Sequence, residues 1–185
     1  MTPLESALLE VTGALDRLRI PYMLIGGLAV SLWGEPRSTL DVDVTTWVES
    51  KDFEHTISEI GKHLKVLPKE PISFVQSTRV LPCMSSQQAK IDIIFAALEE
   101  ERRIIQRARP IQAAGSTIKV ASVEDLLFMK LASERPKDMQ DSRALLRRFR
   151  KTIDRSYLEP RLKELADGLA RPDILSLYHE EMNRA

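Results

Sequence analysis

Between Tyr22 and Val48 the chain changes its periodicity twice, and few folds accommodate that pattern. Tyr22–Ile25 is a short apolar run that stops at Gly26-Gly27, as a buried strand does. Leu28–Trp33 reads as a short helix, closed by Gly34 and Pro36. Leu40–Val48 then alternates. Asp41, Asp43 and Thr45 fall on one face, and Leu40, Val42 and Val44 on the other. Strand, tight glycine turn, short helix and half-polar strand in that order predict a mixed α/β (α+β) fold, a small sheet flanked by helices.

The flanking sequence extends this reading. Leu4, Leu8, Val11 and Leu15 recur at helical spacing, so residues 3–18 are expected to form an amphipathic helix that ends at Pro21. A second helix is expected over 51–64. Strands are expected at Ile72–Leu81 and Ile91–Ala97, paired as a hairpin across SSQQAK. Residues 98–107 read as a charged helix. Pro110–Ala113 and Thr117–Val120 flank a turn at Gly115. Ser122 has the character of an N-cap, with Glu124 and Asp125 in the first turn and a break near Pro136. From Lys137 onward the pattern is helical, with interruptions expected at Pro160, Gly168 and Pro172. The predicted organisation is a core over 1–121 and a helical C-terminal part over 122–185.

Composition narrows the function classes. With 43% hydrophobic and 29% charged residues, the chain can bury a core without staples. Its one cysteine, Cys83, excludes an internal disulfide and suggests no zinc cluster. The MTPLESALLEV start has acids and no basic segment ahead of an apolar stretch, which argues against a signal peptide. No run of about 18 apolar residues is present to span a bilayer. A cytoplasmic location is therefore expected, with no membrane partner. Residues 1–100 hold 9 Lys and Arg against 14 Asp and Glu, whereas residues 101–185 hold 18 against 13. The basic second half would tolerate phosphates better than the first, although mixed helical surfaces alone produce such a bias. His55 and His63 lie eight residues apart, without metal spacing, and His179 stands alone near the end.

The chemistry concentrates on three acids. Asp41 and Asp43, at i and i+2 on a strand, project from one face and repel each other unless a cation lies between them. Asp92 sits inside KIDIIFA, and a carboxylate among apolar residues needs a partner or a metal. Hard oxygen donors without nearby His or Cys favour Mg2+ or Mn2+. Gly26 and Gly27, between a strand and a helix start, allow the backbone to approach a phosphate.

GGLAVSLWGEPRSTLDVDV resembles the first motif of the DNA polymerase beta-type nucleotidyltransferase superfamily, and Ile91-Asp92-Ile93-Ile94 resembles its third-acid motif. Arg37-Ser38-Thr39-Leu40-Asp41 and VEDLLFMKLASERPKDMQD are similar to motifs of AbiEii-like toxin–antitoxin nucleotidyltransferases, the latter through Lys130, Arg135, Lys137, Asp138 and Asp141. The resemblance covers about residues 20–145. It implies a nucleotidyltransferase fold and a transferase that moves a nucleoside monophosphate from a nucleoside triphosphate such as ATP to an acceptor hydroxyl. Asp41, Asp43 and Asp92 would hold magnesium or manganese. Gly26, Gly27, Arg37, Lys130 and Asp138 would hold the nucleotide, with Lys130 also catalytic. Partners implied are the triphosphate, an acceptor that is a tRNA end or a protein, and a cognate antitoxin. Many superfamily members carry a serine where this chain has Gly27, so triphosphate contact here falls to backbone N–H groups and basic side chains. Two rival readings are an antibiotic nucleotidyltransferase with an aminoglycoside-like acceptor, and an inactive nucleotide-binding module of the same fold.

Overall fold

In a computed structural model, residues 1–35 and 38–184 are described. The chain divides into two compact units. One comprises Met1–Leu32 and Arg37–Ala121, and the other Trp33–Pro36 and Ser122–Ala185.

The first unit is built on a mixed sheet. Among the described residues its strands are β1 (Tyr22–Ile25), β2 (Asp41–Thr46), β3 (Lys65–Val66), β4 (Val80–Met84), β5 (Lys90–Phe95), β6 (Arg109–Ala113) and β7 (Ser116–Val120), in spatial order β3-β4-β5-β2-β1-β7-β6. The β2–β5 and β1–β7 pairs are parallel and the others antiparallel. On one face Leu24, Val42, Val44, Leu81, Cys83, Ile91 and Ile93 are buried without exposed surface. Each alternates with a less buried neighbour on the other face, as the two-residue side-chain period requires. Helix α1 (Pro3–Arg17) packs on β2 and β5 and buries Leu8, Val11 and Leu15. Its start is set by a capping box: the Glu5 N–H donates to Thr2 Oγ1 and the Thr2 N–H to Glu5, with Pro3 at a position that needs no N–H.

Several boundaries differ from the sequence expectation for identifiable reasons. Ile72–Leu81, expected as a strand, is mostly helix: α4 spans Pro71–Thr78 and only Val80–Met84 forms β4. Pro71 at the first helical turn and a left-handed Arg79 at its end (φ 62°) bracket the helix, and Val75 is its one buried residue. The hairpin across SSQQAK is formed, with β4 rather than 72–81 as its first strand. The 51–64 helix is a 3-10 turn, Ser50–Asp52, followed by α3 (Phe53–Gly61). Helix α2 (Gly26–Leu32) starts at the glycine pair itself, and α5 covers Glu99–Gln106.

The second unit contains α6 (Val123–Ala132), α7 (Pro136–Phe149), α8 (Arg155–Leu169) and α9 (Asp173–Asn183). Ser122 caps α6 by accepting from the Asp125 N–H at 3.1 Å. Pro160 and Gly168 do not interrupt α8. Pro160 lies in the second turn, and the residue whose carbonyl its missing N–H would have bonded, Ser156, is exposed. Buried Asp125 accepts from Ser122 at 2.7 Å and from Tyr157 at 2.6 Å, which ties α6 to α8. Glu181, fully buried on α9, accepts from Arg147 at 2.7 Å and Arg143 at 2.8 Å on α7. The Arg147 bonds, helped by Arg143 and working against burial, hold its carboxyl down to about 2.

Glu181→Gln is therefore expected to cost about 2 kcal/mol at neutral pH, as lost charge-assisted hydrogen bonds do. A carboxyl whose folded value is depressed stabilises above its unfolded value and loses that contribution as the pH falls through the folded one. The parent and variant melting temperatures should therefore converge between about pH 4.5 and about pH 2. A gap independent of pH would contradict this.

Candidate active site

Register brings the three acids together. Asp43 on β2 stands directly opposite Asp92 on β5, and Asp41 opposite Lys90. Residues paired across parallel strands share a face, so Asp41, Asp43 and Asp92 lie on the side of the sheet opposite the fully buried valines and isoleucines. All three are half-buried. Burial, followed by the charge of Asp41, pushes the Asp92 carboxyl above its usual range, and Lys90 counteracts part of that shift. Asp41 is oriented by Thr39, whose hydroxyl donates to Oδ1 at 3.0 Å.

Gly26 is part of the same construction. On β1, Ile25 pairs with Asp43, so the chain turns into α2 beside that carboxylate. Gly26 has φ +70°, and a Cβ placed there would lie 2.1 Å from Asp43 Oδ2. Only glycine combines this backbone angle with that close approach. Gly27 is buried at the start of α2, and its carbonyl accepts from Ser31 at 3.2 Å.

We expect Gly26→Ala to displace the Asp43 carboxylate and strain the turn, and, if the chain has the transferase activity that the sequence resemblance implies, to lower it on the order of tenfold or more. The check is the ratio of parent to variant rates at saturating triphosphate. An unchanged rate would show that Asp43 needs no room at Gly26.

The donor set suits a hard divalent cation. It consists of carboxylate oxygens, the hard donors that such cations take. Among the described residues, no three His, Cys, Asp or Glu are drawn into a ready-made ion site. Neighbouring carboxylates repel one another unless a cation lies between them, so the face supplies ligands that a cation would gather.

Lys130 and Asp138 meet in the second unit. Lys130 is buried on α6, and its ammonium donates to Asp138 Oδ1 at 2.7 Å and pairs with Asp141 Oδ2 at 2.8 Å. Ser133 donates to the other Asp138 oxygen at 2.8 Å. Burial raises the Asp138 carboxyl, but the bonds from Lys130 and Ser133 outweigh it and leave the group below its usual range. Arg37 lies outside the described residues. The sequence reading overlooked Lys90, although its place two residues before Asp92 on one strand was sufficient to put both on the same face.

The family described as "Nucleotidyltransferase of unknown function (DUF6036)" matches residues 1–172. The chain belongs to this family. Its fold recurs in solved structures of low identity. The lincosamide antibiotic adenylyltransferase LnuA, in its lincomycin-bound form, is 15% identical with a TM-score of 0.55, over 78% of this chain and 98% of LnuA. The antibiotic-resistance factor ANT(2'')-Ia is 17% identical with a TM-score of 0.55, over 95% of this chain and 97% of its own. An antigenic nucleotidyltransferase-like protein from Paracoccidioides brasiliensis is 18% identical with a TM-score of 0.53, over 96% and 94%. At these identities the likeness shows the fold alone. No curated protein is similar to the chain. Family and fold are thus those of nucleotidyltransferases, and no helix among the described residues is long and apolar enough to cross a membrane.

Proposed function

We propose that this DUF6036 member transfers a nucleoside monophosphate from a nucleoside triphosphate, ATP among them, to an acceptor hydroxyl, with Asp41, Asp43 and Asp92 as its metal ligands. The observation that carries this reading is the register of Asp43 against Asp92, with Asp41 on the same face and Gly26 making room for the Asp43 carboxylate. An oxygen of the acceptor forms a bond to the α-phosphorus, the bond from that phosphorus to the bridging oxygen breaks, and pyrophosphate leaves. The hydroxyl proton passes to solvent. Magnesium or manganese, when bound, supplies charge neutralisation at the triphosphate and at the attacking and leaving oxygens.

The chain's own residues provide the remaining functions. Thr39 fixes the rotamer of Asp41. Gly26 and Gly27 let the start of α2 approach the phosphates, where helix N–H groups suit anions. Arg37 is proposed as a phosphate contact. Lys130 and Asp138 are proposed to serve the nucleotide as a charged pair, Asp138 orienting the lysine.

Two acceptor classes compete. The AbiEii-like resemblance suggests a tRNA end or a protein, with a toxin–antitoxin role and a cognate antitoxin. The LnuA and ANT(2'')-Ia folds favour a small molecule, and the cavity described below supports that second class. The deciding experiment incubates the protein with magnesium, the four α-phosphate-labelled nucleoside triphosphates, and separately RNA, protein and small-molecule fractions of a cell extract. Label is expected in one fraction, with release of pyrophosphate. No transfer to any fraction and no triphosphate binding would favour the inactive module.

A further inference from the structure

A cavity of about 600 Å3 opens beside Asp41 in the first unit. The described residues lining it come from three places. The start of α1 contributes Thr2, Pro3 and Leu4, the approach to β2 contributes Thr39 and Leu40, and the β4–β5 turn contributes Gln87 to Lys90. Its size lies within the range of small-molecule sites. Asp41, on its wall, is two residues along β2 from Asp43, roughly 7 Å by strand rise. Asp41 is thus shared by the cavity wall and the carboxylate face.

The walls are held in place by hydrogen bonds. Glu10 of α1 accepts from the Ser86 N–H at 2.9 Å and from the Ser86 hydroxyl at 2.6 Å, and also from Ser6 at 2.8 Å. Burial raises its carboxyl, but these bonds outweigh that effect and keep it below its usual range, so it remains an acceptor at neutral pH. Within the turn, the Ala89 N–H donates to Ser85 Oγ and the Gln88 N–H to the Ser85 carbonyl. The turn bearing Gln87 and Gln88 is thus fastened to the helix whose first residues form another wall. Glu10 acts as a positioning residue.

Resting on the nucleotidyl-transfer reading above, we propose that this cavity binds the acceptor, and that the acceptor is a small neutral molecule with hydroxyl groups and an apolar part. The lining contains four uncharged hydrogen-bonding side chains, Thr2, Thr39, Gln87 and Gln88, and four apolar ones, Pro3, Leu4, Leu40 and Ala89. The Gln87 and Gln88 amides pair with sugar-like hydroxyls as both donors and acceptors, and the Thr39 hydroxyl, which donates to Asp41, remains an acceptor. Leu40 is 87% exposed at the cavity and offers apolar surface that an aglycone or alkyl group would cover. The charged lining residues are Asp41 and Lys90. With Asp41 committed to a cation, Lys90 remains, which disfavours a polycation. One lysine is also too few for a nucleic-acid backbone, whose binding draws on several phosphate contacts.

The test measures the two ligands separately. Octyl glucoside stands in for the acceptor and is followed by saturation-transfer NMR, and a fluorescent ATP analogue with magnesium reports the triphosphate site. Octyl glucoside is expected to bind the parent. Gln87→Trp, which fills the cavity from an exposed position, and Leu40→Ser should each weaken that binding by about tenfold, a loss of about 1.4 kcal/mol. Affinity for the ATP analogue should stay within about twofold. Glu10→Gln should weaken octyl glucoside with the same ATP affinity. Preferential binding of tobramycin or of tRNA, sensitive to the same two variants, would overturn the neutral-acceptor proposal. An equal loss of ATP affinity in Gln87→Trp would assign the cavity to the nucleotide and overturn it as well. Failure of the parent to bind the ATP analogue, with octyl glucoside still lost in both variants, would instead refute the transfer reading and leave the cavity as a binding site.

Discussion

Asp43→Asn should lower nucleotidyl transfer on the order of 100-fold or more, as removal of one well-placed electrostatic contact does. The substitution preserves shape, so the side chain still fits against Gly26, where a Cβ would lie 2.1 Å from its oxygen. What it removes is one negative charge from a face on which Asp43 and Asp92 stand in register. Like charges in register repel, so the melting temperature should be unchanged or raised. Loss of transfer with retained or raised stability is the signature of ligands arranged for a cation. A structural carboxylate would behave in the opposite way, with activity kept and stability lowered. Measuring transfer rate and melting temperature on Asp41→Asn and Asp43→Asn together distinguishes the two, and full activity in Asp43→Asn would end the case for this site.

Lys130→Met is the second substitution with a large expected effect, and it acts on the other unit. The ammonium is buried between Asp138 at 2.7 Å and Asp141 at 2.8 Å. Removing it leaves two partly buried carboxylates facing each other, and breaking a buried pair typically costs about 3–5 kcal/mol. In the parent, Asp138 is held below its ordinary range, so the pair stabilises at neutral pH and that contribution fades as the pH falls through the depressed value. The gap between parent and variant should therefore narrow only below about pH 3.8, as Asp138 of the parent protonates. Thermal melts at about pH 7 and about pH 3 check this, with a wide gap at the first and a narrower one at the second. A stable Lys130→Met would refute the structural weight of this pair, whereas lost triphosphate affinity in the variant would match the nucleotide role proposed for Lys130.

The candidate site was largely legible in the sequence because its information is local. Alternation in Leu40–Val48 and in KIDIIFA put each aspartate on a definite face of its strand, and the glycine pair marked where the chain must turn. A two-residue period requires no knowledge of the neighbouring strand. What it leaves open is register, since sliding β5 by one residue would put Asp92 on the other face. Only the assembled sheet set Asp43 against Asp92 and Lys90 against Asp41. The same limit explains the error at Ile72–Leu81, where a short apolar run is consistent with either strand or helix until its neighbours are known. There, Pro71 and left-handed Arg79 define a two-turn helix with one buried residue.

Long-range polar chemistry was beyond sequence reading altogether. Glu10 and Ser86 lie 76 positions apart, and nothing in either segment announces that one fastens the other. The bond exists because α1 packs on β2 and β5 and so brings its polar edge to the β4–β5 turn. The sequence by itself thus determined most element types, the faces of β2 and β5 and the three acids, because side-chain periodicity follows from backbone geometry. Register, the cavity beside Asp41 and the burial that shifts Asp92 were decided only by tertiary structure, because each depends on which distant segment supplies the neighbouring wall or charge.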